Sequence, residues 1–110
     1  MIALADFEKV EIRVGKIIDV QPYPEARKPS YRLQIDLGTA IGVKKSIAQL
    51  PTRYATEQLL GRLVLCVVNF PPRQIGKAIS EVLTLGVPDA EGNAILVVPE
   101  REVVLGGRLF

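Results

Sequence analysis

Alternating apolar and polar residues run through most of the chain and predict a protein built mainly of β-strands. Over residues 10–20 one predicted face is apolar except at Lys16, and the opposite face is mainly polar or glycine. This period of two indicates a strand with one buried face. Gly15 in mid-strand predicts a bulge or a barrel corner. The expected buried face comprises Val10, Ile12, Val14, Ile18 and Val20.

Prolines and glycines separate the shorter elements that follow. Three prolines predict a loop over 22–30, because proline cannot donate to a sheet ladder. Alternation predicts a second strand over 33–37 and a third over 41–48, with Ile41, Val43 and Ile47 on one face and small or basic residues on the other. One helix is predicted over 51–60, since a proline suits its first turn and a glycine its end.

The segment 63–70 is apolar on both predicted faces. A strand buried on both sides needs cover outside the barrel, which we expect from the helix or from another subunit. Further strands are predicted over 82–87 and 94–98, around a turn at 88–93. Five or more strands, with one helix between the third and the fourth, favour an all-β, five-stranded Greek-key OB-fold barrel over an SH3-like barrel.

The composition fits one non-catalytic domain spanning residues 1–110. The chain has no histidine and one cysteine, so it cannot form a Ser–His or Cys–His nucleophile pair or a zinc site. The glycine-rich phosphate-binding motifs are absent. Paired-carboxylate catalysis remains open, but the acidic residues are scattered as surface charges usually are. We therefore expect no enzyme activity, no cofactor and no metal ion.

Hydropathy and cysteine content predict a cytoplasmic protein, and the charge is unevenly distributed, with residues 1–77 basic. No run approaches the ~20 apolar residues of a membrane span, and the N-terminus lacks a signal-peptide layout. The lone Cys66 cannot form an internal disulfide. Residues 1–77 hold 12 Lys and Arg against 7 Asp and Glu, whereas residues 78–110 hold 2 against 5. This asymmetry could attract phosphates, acidic peptides or a second subunit, or could simply be a solvated surface.

Polar and aromatic residues at the predicted strand ends are the candidate ligand-binding residues. Asn69 offers an amide, Phe70 an apolar or stacking surface, and Arg73 a planar fork of donors; the competing interpretation is a stiff structural turn. A carboxylate on an apolar face needs a partner, and Arg13 or Arg73 could pair with Glu81. The full candidate set is Arg27, Lys44, Ser46, Gln49, Asn69, Phe70, Arg73, Ser80 and Glu81.

Several of these segments, in this order, resemble a known family. They are similar to the tRNA-binding domains of methionyl-tRNA synthetase C-termini and EMAP-II-like cytokine precursors, and more closely to secretion-associated chaperones of the CsaA type. Asn69-Phe70-Pro71-Pro72-Arg73 is the most specific segment. The others are Asp6-Phe7-Glu8-Lys9-Val10, Ile12-Arg13-Val14-Gly15, Pro24-Glu25-Ala26-Arg27, Ser46-Ile47-Ala48-Gln49 and Ser80-Glu81-Val82-Leu83.

The resemblance implies an OB-fold homodimer that dimerises through N- and C-terminal extensions. It also implies ATP-independent binding of unfolded polypeptides or preproteins and of the SecA motor, or, as in the RNA-binding relatives, of tRNA. In those relatives the serines matching Ser46 and Ser80 and the asparagine matching Asn69 line the ligand side. Val82-Leu83 stands where tRNA-binding relatives carry Gly-Met, which favours the chaperone function over tRNA binding. A subunit that serves assembly alone is the third hypothesis.

Overall fold

The structure, a computed structural model, describes all residues 1–110 as nine strands and two short helices. The helices are α1 (Leu4–Glu8) and α2 (Thr56–Leu59). The strands are β1 (Ile12–Pro22), β2 (Tyr31–Asp36), β3 (Val43–Ala48), β4 (Leu63–Val67), β5 (Arg73–Ile75), β6 (Ala78–Ser80), β7 (Leu83–Thr84), β8 (Gly86–Pro88) and β9 (Ala94–Leu96). Neither helix has the length or hydropathy to cross a membrane.

Five strands form one antiparallel sheet in the order β3-β2-β1-β4-β7, curled into a nearly closed barrel. Ser46 Oγ and Thr84 Oγ1 lie 2.8 Å apart across the gap between β3 and β7. The carbonyl of Lys45 also accepts the backbone N–H of Glu81 at 2.8 Å. The predicted OB-type barrel, with one helix between the third and fourth strands, is confirmed. The predicted strand over 94–98 instead pairs with β8 outside the barrel.

A β-bulge in β1 changes which residues of this strand are buried. The β1–β2 register passes from Ile17 to Asp19 and leaves Ile18 unpaired. Ile17, opposite Ile35, is fully buried inside the barrel, whereas the extra residue Ile18 is 42% exposed. Beyond the bulge the alternation is reversed, so Val20 lies opposite Leu33 and packs against the interior core. The prediction of a single buried face from Val10 to Val20 that includes Ile18 was therefore wrong.

The chain builds two apolar clusters, one inside the barrel and one on its outer surface. The outer cluster contains Ile12, Val14, Leu65 and Val67. Later parts of the same chain, including Leu105, pack against this cluster, a cover that the sequence analysis did not predict. The interior cluster comprises Ile17, Tyr31, Leu33, Ile35, Leu37, Leu50, Leu59, Val64, Cys66, Val82 and Leu96.

The third strand turns its face of small residues into the barrel. Ser46 is fully buried inside the barrel, while Val43 is about half exposed on the outer surface. The face of small residues therefore points inward, since little room remains between the interior strands. The helix is shorter than predicted, because residues 51–53 form a turn in which Tyr54 N–H donates to the carbonyl of Leu50 at 3.0 Å. Fully buried Leu59 closes this end of the barrel.

The two ends of the chain meet beside the first strand. Leu109 N–H donates to the carbonyl of Ile12 at 2.9 Å, and Gly106 N–H to that of Val14 at 2.8 Å. The guanidinium of Arg108 donates to the carbonyl of Glu8 at 2.7 Å. The C-terminal segment is thereby fixed to both β1 and α1.

Burial makes the single cysteine unreactive. It raises the pKa of the Cys66 thiol to about 11, although a hydrogen bond to Thr84 acts the other way. We expect a thiol reagent at pH 8 to label Cys66 only after unfolding, as measured by mass spectrometry. The unfolded thiol ionises near its ordinary pKa of 9.0, so stability falls as pH rises from 9.0 towards 11. Cys66→Ala removes this part of the pH dependence, and fast labelling of the native protein would contradict the assignment.

Candidate functional site

An apolar groove lies where the β5–β6 hairpin stands beside β3. Its volume is about 220 Å³, and its lining includes Ile47, Phe70 and Leu83, with Arg73 and Glu81 among the charged residues. Phe70 is 46% exposed, so its ring is available to a ligand. Arg73 forms no ion pair within 4.0 Å. The groove therefore offers an apolar surface and a free guanidinium side by side.

The hairpin that walls this groove was missed by the sequence analysis. Arg73 pairs with Ser80 and Ile75 with Ala78, leaving Gly76 and Lys77 as a two-residue turn. Gly76 has φ +62°, which is the conformation that such a turn requires at its first central position. The pattern Ile-Gly-Lys-Ala was the available signal, because a glycine-led pair between short apolar positions is typical of this turn.

Two candidate residues in the groove also close the barrel. The hydroxyl of Ser80 accepts the N–H of Ile47 at 3.0 Å and donates to the carbonyl of Val82 at 3.2 Å. Glu81 Oε1 accepts the N–H of Lys45 at 2.9 Å. The predicted ion pair of Glu81 with Arg13 or Arg73 was wrong: the carboxylate accepts the backbone N–H of Lys45 instead, and Arg13 pairs with Glu11 at 3.0 Å.

Asn69 precedes the groove but uses its amide to hold the N-terminal segment. Its Oδ1 accepts the N–H of Glu11 at 2.9 Å, and its Nδ2 donates to the carbonyl of Lys9 at 2.8 Å. Both ends of the amide are thus occupied within the chain. Asn69 positions the segment before β1 and is not among the residues that line the groove.

The remaining four candidate residues lie outside the groove. Ser46 is fully buried against Thr84, so its hydroxyl cannot meet a ligand in this structure. Lys44 is half-buried on the same face of β3, opposite Ile35. Gln49 is exposed beyond the end of β3, and Arg27 lies in the proline-rich loop. The structure therefore brings together Phe70, Arg73, Ser80 and Glu81.

A second apolar region lies where the chain ends meet, and we call it the terminal surface. It consists of two adjoining depressions of about 400 and 560 Å³, which share Arg108, Leu109 and Phe110. Val104 is 80% exposed, and Leu4 is exposed nearby. Contiguous exposed apolar surfaces of this kind mark interaction sites.

Known proteins resemble the chain over nearly its whole length. Residues 12–108 match the family model described as "Putative tRNA binding domain". The methionine–tRNA ligase of Thermococcus onnurineus is 38% identical over 104 residues, which are 94% of this chain and 14% of the ligase. That of Nanoarchaeum equitans is 34% identical over 109 residues, covering 99% of this chain and 14% of the ligase. The chain thus spans about a seventh of the length of these curated relatives.

Two crystal structures cover the chain completely. The CsaA chaperone protein of Picrophilus torridus has a TM-score of 0.94 and 43% identity, covering 100% of both chains. The CsaA chaperone of Bacillus anthracis has a TM-score of 0.92 and 40% identity, covering 100% of this chain and 99% of the other. Together with the family match over residues 12–108, this likeness shows that the chain belongs to the tRNA-binding-domain family and stands among its CsaA-like members.

Proposed function

We propose that the chain is a non-catalytic, CsaA-like chaperone that binds unfolded or exported polypeptides in the groove beside the β5–β6 hairpin. The observation that carries this proposal is the exposed ring of Phe70 next to the unpaired Arg73 in an apolar recess. An extended client could place an apolar side chain against Phe70 while its backbone carbonyls or carboxylates meet Arg73. Binding is stoichiometric and needs no ATP. The protein acts in the cytoplasm.

Assembly into a homodimer forms part of the same proposal. The terminal surface combines apolar residues from both ends of the chain, which a second copy can cover by two-fold symmetry. Two grooves on one dimer raise the avidity for a long unfolded chain that reaches both. Membership among the CsaA-like proteins also suggests SecA as a further partner.

RNA binding is the second candidate function. It is favoured by the family match over residues 12–108 and by the excess of Lys and Arg in residues 1–77. Against it, the chain has three Tyr and three Phe, of which Tyr23 and Tyr31 are buried. Few aromatic rings are therefore free for base stacking.

The test of the chaperone function is the double variant Phe70→Ala, Arg73→Gln. Each change removes an exposed contact without opening the core, and we expect the two together to weaken peptide binding about tenfold or more. Fluorescence anisotropy with a labelled, positively charged unfolded peptide, at two salt concentrations, measures the affinity. Suppression of aggregation of a denatured client provides the functional readout.

A matched control removes one apolar and one basic side chain elsewhere. Leu60→Ala and Arg101→Gln change exposed residues outside the groove and should leave peptide affinity unchanged. If the groove variant binds as tightly as the wild type, or the control weakens binding equally, the assignment of this groove to polypeptides is wrong.

A further inference from the structure

The β5–β6 hairpin forms one wall of the apolar groove, although it lies outside the five-stranded barrel sheet. It supplies Arg73, Ile75 and Ser80 to the lining, whereas β3 and β7 supply Ile47 and Leu83. An isolated two-stranded hairpin is only marginally stable in water. The shape of the groove therefore depends on the contacts that hold this hairpin against the rest of the chain.

Hydrogen bonds hold the hairpin at its base and at its tip. At the base, the hydroxyl of Ser80 accepts the N–H of Ile47 at 3.0 Å. At the tip, the hydroxyl of Tyr23 donates to the carbonyl of Ile75 and accepts the N–H of Ala78 at 3.1 Å. Ile75 and Ala78 are paired with each other and flank the two-residue turn. One hydroxyl thus binds a backbone group on each side of the turn.

The support for this hydroxyl is itself rigid. Tyr23 is 5% exposed, and its N–H donates to the carbonyl of Ser30 at 3.0 Å. It directly follows Pro22, the last residue of β1, which lies opposite Tyr31 in β2. Prolines at 22 and 24 restrict the backbone on both sides of Tyr23, because each ring fixes its own φ. The barrel therefore presents the hydroxyl to the hairpin in one place.

The turn is shaped to meet the hydroxyl. A Cβ at Gly76 would lie 2.7 Å from the hydroxyl oxygen of Tyr23, whereas its next neighbours, Cζ of Tyr23 and Cβ of Glu25, would be 3.6 Å away. Only the hydroxyl is thus close enough to exclude a side chain at this position. Glycine serves both the positive φ of the turn and the approach of the tyrosine.

We infer that Tyr23 is a positioning residue for the peptide-binding groove. Its hydroxyl fixes the hairpin, so that Arg73 and Ile75 stay in the lining beside Phe70, while Tyr23 itself is not part of that lining. A wall that is already ordered loses less conformational freedom when a client binds. The hydroxyl therefore raises the affinity for the client without contacting it. This inference rests on the proposed function of the groove.

The test is Tyr23→Phe in the full chain, which removes the hydroxyl and keeps the ring. Hydrogen exchange of the Ala78 amide, measured by NMR on the free protein, should become about five- to tenfold faster, because this N–H loses its partner. The affinity for the labelled unfolded peptide, measured by anisotropy, should fall about three- to tenfold, because binding must now order the hairpin.

The matched control is Tyr31→Phe, the same change at a similarly buried tyrosine. Tyr31 is 9% exposed, and its hydroxyl donates to the carbonyl of Tyr54 at 2.8 Å, before α2. This variant should lose a similar amount of stability in urea but keep both the peptide affinity and the exchange rate of Ala78. If both variants weaken peptide binding equally, the effect of Tyr23→Phe is general destabilisation and the inference is wrong.

Gly76→Ala disturbs the same contact from the side of the hairpin and should also weaken peptide binding. Combined with Tyr23→Phe it should add little, since the oxygen that the new Cβ would meet is gone. Fully additive losses would show that the two residues act separately, against the inference. If wild type binds the peptide and Tyr23→Phe binds it as tightly, the positioning role is wrong while the proposed function stands. If wild type does not bind the peptide, both fail.

Discussion

Replacing Gly15 with alanine is expected to lower the free energy of unfolding by about 3 kcal/mol, because the barrel interior has no room for one more methyl group. A Cβ at this position would lie 2.4 Å from Cγ2 of Ile35 and 2.9 Å from Cδ2 of Leu37. Both neighbours are fully buried, so neither can move without displacing the packed core. Urea denaturation followed by circular dichroism measures the change.

Two further variants separate crowding from other causes. In an Ile35→Ala background the closer of the two crowding groups is gone and Leu37 can move into the space that it leaves, so the effect of Gly15→Ala should shrink to below about 1 kcal/mol. Gly92→Ala adds a Cβ in open space at φ +85° and reports backbone strain alone, about 1 kcal/mol. If Gly15→Ala destabilises the protein less than Gly92→Ala does, crowding is not the reason for this glycine.

The order of elements was predictable because local residues determine it. Prolines and glycines delimit the strands and the helix, and alternation identifies the strands between them. The faces were less predictable, since a bulge at Ile18 reverses the alternation within β1. Gly15 indicated that a bulge was near, but adjacent Ile17 and Ile18 satisfy either register equally well. Only the pairing with β2 decides which of the two isoleucines is buried.

Some of the candidate residues line the groove and others do not, because alternation alone does not tell a structural polar group from a ligand-binding one. Alternation and strand ends suggested Phe70 and Arg73, and the structure places both in the lining of the groove. The same logic selected Ser46 and Asn69, which satisfy groups within the fold. A hydroxyl that closes a barrel and one that meets a ligand occupy similar positions in an alternating pattern. Their difference depends on what lies across the gap between β3 and β7.

The terminal surface links the fold to the proposed assembly. Arg108 binds the end of α1 through the carbonyl of Glu8, and the adjoining Leu109 and Phe110 line the depression that also contains Leu4. Residues about a hundred positions apart thus form one apolar region that the single chain does not cover. Under two-fold symmetry each anchor residue is used twice, so a change to one residue alters two places in the interface.

Val104→Lys combined with Phe110→Lys is expected to convert a dimer into a monomer that remains folded. Each lost apolar contact is worth about 1.5 kcal/mol or more and occurs twice, so the dissociation constant should rise by at least about a thousandfold. Both side chains are highly exposed, so the barrel core is untouched. The mass measured by sedimentation equilibrium should change from twice the chain mass of 12.1 kDa to that mass itself.

The matched control, Val43→Lys with Leu60→Lys, places the same charges on exposed apolar residues elsewhere and should stay dimeric. A wild type that is monomeric throughout, or a terminal variant that stays dimeric, would show that this surface does not join two copies.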